Sequence, residues 1–83
     1  PHLPVSVDTT INEGVVARVL AKLPAECPVL VLPTQQVGCS VEHLRYPGTL
    51  TSTPETLLAF WSDIGRSVAR AGVKRLIMLN SHG

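Results

Sequence analysis

Two short stretches gather side chains that can bind metals, move protons or contact a polar substrate. Ser40, Glu42 and His43 lie in a glycine-containing segment, and Asn80, Ser81 and His82 follow an apolar run directly. Asp8, at the end of a proline-containing segment, is a further candidate. Carboxylate and imidazole are donor types that a borderline divalent ion takes. Each residue also has a plainer use. Asp8 could cap a helix, which is the simpler reading of its position. His43 could serve as a hydrogen-bonded loop histidine, and His82 suits structural bonding as well as ligation. No Glu-x-x-His or His-x-x-x-His spacing occurs, so only the fold can bring these groups together. Cys27 and Cys39 lack the Cys-x-x-Cys spacing and read as two free thiols without chemistry.

The elements that must position these residues follow from periodicity and punctuation. Residues 1–8 hold two prolines and read as an extended entry. Asp8, Thr9 and Thr10 offer caps for a helix to about Leu23, with Ile11, Val15, Val19 and Leu23 as its apolar stripe and Pro24 as its stop. Residues 28–33 (PVLVLP) and 74–80 (KRLIMLN) are short apolar runs, the pattern of strands buried on both faces. Between them, 34–53 reads as a long loop, a length usually tied to function. Thr53-Pro54-Glu55 starts a second helix with Leu57, Trp61, Ile64, Val68 and Ala71 on one face, closed by Gly72.

The order strand, helix, strand predicts a right-handed βαβ unit with parallel strands. Ligand sites in open α/β sheets lie beyond the carboxyl ends of the strands. Loop 34–53 and tail 80–83 should therefore emerge on one edge, carrying Ser40, His43 and His82.

Composition narrows the class. The 83 residues are 45% hydrophobic and 16% charged, enough for a small core and unlike a disordered tail. Net charge is +1, and Arg18, Lys22, Arg45, Arg66, Arg70, Lys74 and Arg75 are scattered, so a nucleic-acid partner is not expected. No apolar run approaches the roughly 18–20 residues that span a bilayer, so no membrane partner is expected either. The expectation is a cytoplasmic α/β domain.

The same residues carry a resemblance. Pro1-His2-Leu3-Pro4 with Asp8 is similar to the end of the Glu-x-His-Gly-Pro-His-Leu-Pro…Asp motif of the creatininase (creatinine amidohydrolase) family. Gly38-Cys39-Ser40-Val41-Glu42-His43 and Tyr46-Pro47-Gly48-Thr49-Leu50-Thr51 resemble its Gly-x-Ser-x-Glu-His…Phe-Pro-Gly-Thr-Leu-Ser loop, with Tyr46 in place of phenylalanine. Asn80-Ser81-His82-Gly83 resembles its Asn-Gly-His-Gly-Gly-Asn stretch, with Ser81 where many members have glycine. The matches fall in family order and cover nearly the whole chain.

The resemblance implies a three-layer α/β/α fold with a mostly parallel sheet, and a site for two divalent metal ions, zinc or manganese. It implies hydrolysis of a C–N amide bond in a small or cyclic substrate. Asp8 matches the aspartate that bridges the metals and His82 a terminal histidine ligand. Ser40, Glu42, His43 and Ser81 match the substrate pocket, and Asp8, Ser40 and His82 should converge. The family's other ligands fall before Pro1 and after Gly83. Residues 1–83 are therefore expected to be a partial domain, truncated at both ends and inactive alone. His2 reads as structural support, not a ligand. Self-association is expected, because the resemblance implies ring-like assemblies and a two-stranded sheet leaves its edges uncovered. Two alternatives stay open: a non-catalytic remnant or interaction module, and a formamide hydrolase of flavin or deazaflavin synthesis.

Overall fold

The computed structural model describes residues 3–82, and the reading of His2 as structural support lies outside them. Their regular elements are α1 (Val7–Lys22), a 3-10 turn (Val41–His43) and α2 (Pro54–Arg70). The chain divides into two units, Pro1–Gln36 with Leu79–Gly83, and Val37–Met78.

In the first unit, α1 starts earlier than its capping residues suggest. Ser6 is the N-cap and makes no side-chain capping bond. Instead the turn before the helix closes through Val7 N–H to the Pro4 carbonyl at 3.1 Å, and Thr10 N–H reaches the Ser6 carbonyl at 2.9 Å. Asp8 is thus not the cap. It lies in the first turn, where the helix dipole favours an anion. The helix ends as expected: Leu23 turns extended (ψ 147°) ahead of Pro24, and its N–H bonds the Val19 and Leu20 carbonyls. Ile11, Val15 and Val19 are exposed, so the apolar stripe of α1 covers no core in this structure.

The second unit contains α2, whose signals are all local and all used. Thr53 Oγ1 accepts the Thr56 N–H at 3.2 Å, and Pro54 takes the first helical position. At the other end Gly72 adopts φ +86°. Gly72 N–H reaches the Ala69 carbonyl (3.0 Å) and Val73 N–H the Val68 carbonyl (3.4 Å), which together form a Schellman cap. Leu57 on this helix is 6% exposed, and Ile64 and Val68 are half-buried.

The expected three-layer α/β/α fold with a mostly parallel sheet is corrected by the structure. Among the described residues there is no strand, and neither 28–33 nor 74–80 joins a ladder. The predicted βαβ unit is therefore not formed. An apolar run specifies extended backbone, whereas a strand also needs a neighbour for its N–H and C=O groups, and the run does not encode one. Pro28 and Pro33 remove two donors from the first run. Exposure agrees: Leu30 is 92% and Ile77 89% exposed, the reverse of a strand covered on both faces. Self-association argued from the edges of that sheet loses its basis.

Candidate functional site

In the first unit the tail lies against the first two turns of α1. Asp8 and Asn12 are four residues apart, on one face of the helix. Asn12 Nδ2 donates to the Leu79 carbonyl at 3.1 Å. Ser81 Oγ donates to the Asp8 carbonyl at 3.0 Å. Within the tail, Asn80 Oδ1 accepts the His82 N–H at 3.1 Å and Asn80 Nδ2 donates to the His82 carbonyl at 3.0 Å. This places His82 Nδ1 2.9 Å from Asp8 Oδ2.

The two side chains remain partly open, His82 at 32% and Asp8 at 52% exposure, so a ligand can reach both. Neighbouring donor atoms in a tetrahedral zinc site, with bonds of about 2.0–2.1 Å, sit about 3.3 Å apart. The Asp8–His82 separation of 2.9 Å is within a few tenths of that edge. A carboxylate oxygen and an imidazole nitrogen are also the donor chemistry of a borderline divalent ion. On distance, access and donor type the pair fits a shared metal. Without one, an ionised carboxylate accepts the Nδ1 proton and fixes the ring orientation.

In the second unit, Ser40, Glu42 and His43 sit on a loop that closes on itself. Ser40 N–H donates to Thr51 Oγ1 at 2.8 Å, and Ser52 N–H to the Gly38 carbonyl at 2.9 Å. Val41–His43 forms the 3-10 turn, with His43 N–H on the Ser40 carbonyl at 3.0 Å. Thr49 Oγ1 reaches both the His43 and Tyr46 carbonyls at 2.9 Å. Gly48, at φ +89°, supplies the left-handed step that brings Thr49 back over the turn. Glu42 Oε1 and His43 Nε2 are 3.5 Å apart, and both side chains are about half exposed. Arg45 stacks 4.9 Å above the Tyr46 ring and donates to its hydroxyl at 2.9 Å.

The structure thus unites Asp8, Ser81 and His82 in one unit and Ser40, Glu42 and His43 in the other. Reasoning from sequence missed Asn12, Thr49 and Thr51. Asn12 carried a signal, its spacing of four from Asp8 on a helix. The threonines carried none beyond their place in the loop motif. Cys27 and Cys39 are both free thiols, as expected. No helix among the described residues is long and apolar enough to cross a membrane.

Comparison with known proteins bears on the same residues. The family model for creatininase, described as creatinine amidohydrolase, matches residues 1–83. The chain belongs to the creatininase family. Among curated relatives, the mycofactocin precursor peptide peptidase of Mycobacterium tuberculosis is 38% identical over 89 residues, covering 100% of this chain and 35% of that protein. The corresponding peptidase of Mycolicibacterium smegmatis is 33% identical over 85 residues, covering 100% of this chain and 34% of that protein. Creatinine amidohydrolase of Pseudomonas putida is 31% identical over 86 residues, covering 98% of this chain and 32% of that protein. The chain spans about a third of the length of these creatininase-family relatives. No solved structure matches it.

Proposed function

We propose that these residues belong to a metal-dependent amidohydrolase that cleaves a C–N amide bond, with Asp8 and His82 as metal ligands. The observation that carries this reading is the 2.9 Å Asp8–His82 pair, in a chain that the creatininase family model matches over residues 1–83. Two divalent ions, zinc or manganese, when bound would lower the pKa of a bridging water and polarise the scissile carbonyl. Asp8 can present both oxygens, and the tail holds the His82 ring beside them. Ser40, Glu42 and His43 contact the substrate in this proposal, while the Ser81 hydroxyl is engaged by the Asp8 carbonyl. The Thr51 and Thr49 hydroxyls keep their loop in one conformation, which lowers the ordering cost of binding.

The substrate we favour is a peptide amide, because identity is 38% to a relative named as a peptide peptidase and 31% to creatinine amidohydrolase. Because the chain covers about a third of these relatives, the proposed activity is that of the whole protein. The test is elemental analysis with hydrolysis of a peptide amide and of creatinine, on the intact protein and its His82→Ala variant. The expected result is metal in the wild type, peptide hydrolysis exceeding creatinine hydrolysis, and loss of metal and activity in the variant. Full metal content and activity in His82→Ala would refute the assignment, and preferential creatinine hydrolysis would overturn the substrate class.

A further inference from the structure

The Asp8–His82 pair joins residues 74 positions apart, and the two ligands do not by themselves hold that register. Two other side chains do so. Asn12 Nδ2 takes the Leu79 carbonyl at 3.1 Å and Ser81 Oγ takes the Asp8 carbonyl at 3.0 Å. Their spacing matches two different chain geometries. Asp8 to Asn12 is four helical residues, about 6 Å along the axis at 1.5 Å each. Two residues of chain, from Leu79 to Ser81, can reach about 6.6 Å at 3.3 Å each. The two bonds tie the tail to one helical turn at two points, and the next tail residue, His82, arrives at the Asp8 carboxylate.

We propose that Asn12 and Ser81 are positioning residues that dock the tail on α1 and so hold the His82 ring in ligand geometry with Asp8. This rests on the metal-site reading above, and it assigns a use to the serine that stands where many family members carry glycine. A glycine there would have no hydroxyl to bond the Asp8 carbonyl. Asn12 is half-buried and its bond is to backbone, so an apolar replacement of similar size removes the bond with little change in volume.

The experiment compares Asn12→Leu, Ser81→Ala, the double variant and Ser81→Thr in the intact protein. It measures zinc and manganese affinity by chelator competition, thermal midpoint in excess chelator, and exchange of the His82 amide. Partners that orient metal ligands are worth about 10–100-fold in affinity, so each single variant is expected to bind metal about tenfold more weakly. The double variant should lose more, and Ser81→Thr should stay within about twofold of wild type because it keeps the hydroxyl. Metal affinity unchanged in the double variant, or a loss in Ser81→Thr equal to that in Ser81→Ala, overturns the proposal. So does a fall in thermal midpoint without any fall in affinity, which is what a merely structural role would produce. If the wild type binds no divalent ion, the metal reading fails and amide exchange decides for the docking. Faster exchange of the His82 amide in the double variant then upholds it, and wild-type exchange overturns it.

Discussion

Thr51 closes the loop that carries three of the candidate substrate contacts, and replacing it with Val removes a hydroxyl with almost no change of shape. In the structure Thr51 Oγ1 accepts the Ser40 N–H at 2.8 Å and donates to the Ser52 carbonyl at 3.0 Å. Ser40 and Thr51 are both half-buried. A fully buried amide left without an acceptor costs about 1–3 kcal/mol, whereas water can partly replace the lost bond at half burial. The expected cost of closing the loop is therefore about 1 kcal/mol, about a fivefold shift in its opening equilibrium. The backbone bond from Ser52 to Gly38 survives, so the loop should loosen without unfolding. Amide exchange reads this directly: the Ser40 amide should exchange about fivefold faster in Thr51→Val, and Thr51→Ser should restore protection. If Ser40, Glu42 and His43 contact substrate, KM should rise in Thr51→Val, by at most about fivefold, with kcat nearly unchanged, the pattern of lost uniform binding. Wild-type exchange at Ser40 in the valine variant would refute the clasp. A fall in kcat at constant KM would refute the binding role.

Two further expectations concern α2, and equilibrium denaturation checks both. Thr53→Ala removes the hydroxyl that accepts the Thr56 N–H and should cost about 1 kcal/mol, while Thr53→Ser should keep most of it. Gly72 and Gly65 should respond to alanine with opposite signs, because nothing lies within 4 Å of an added Cβ at either and only the backbone differs. At Gly72, φ is +86° and alanine should destabilise by about 1–2 kcal/mol. Gly65 is inside the helix, and alanine there should stabilise by about 0.5–1 kcal/mol. Equal signs at the two positions would show that packing, not conformation, governs both.

The residues also explain why some of this was legible in the sequence. All of the signals for α2 act within a few positions of each end, from Thr53-Pro54 to Gly72, so its bounds could be read. The start of α1 could not. Asp8, Thr9 and Thr10 look like caps, but the helix is entered through a turn in which the Pro4 carbonyl accepts the Val7 N–H. That choice lies in the backbone and has no side-chain signature. The runs 28–33 and 74–80 were legible as apolar runs but not as members of a sheet, because a ladder is a property of two segments. Asp8 and His82 were nameable from their motifs. Their contact across 74 positions was implied only by family resemblance, and Asn12 was unmarked by either.

The missing ladder and the candidate site are connected at Leu79. Had 74–80 formed a central strand, its backbone carbonyls would have been taken by neighbouring N–H groups. Outside any ladder, the Leu79 carbonyl is bonded by the Asn12 side chain. One residue later Asn80 folds over the backbone of His82 through both of its amide atoms. Side chains thus bond the Leu79 carbonyl and both backbone groups of the candidate ligand, His82. A ladder sets only the register of a strand, whereas the bonds from Asn12, Asn80 and Ser81 fix where residue 82 meets Asp8. The same change that removes the strand from 74–80 therefore leaves the placement of His82 dependent on three polar side chains of this chain.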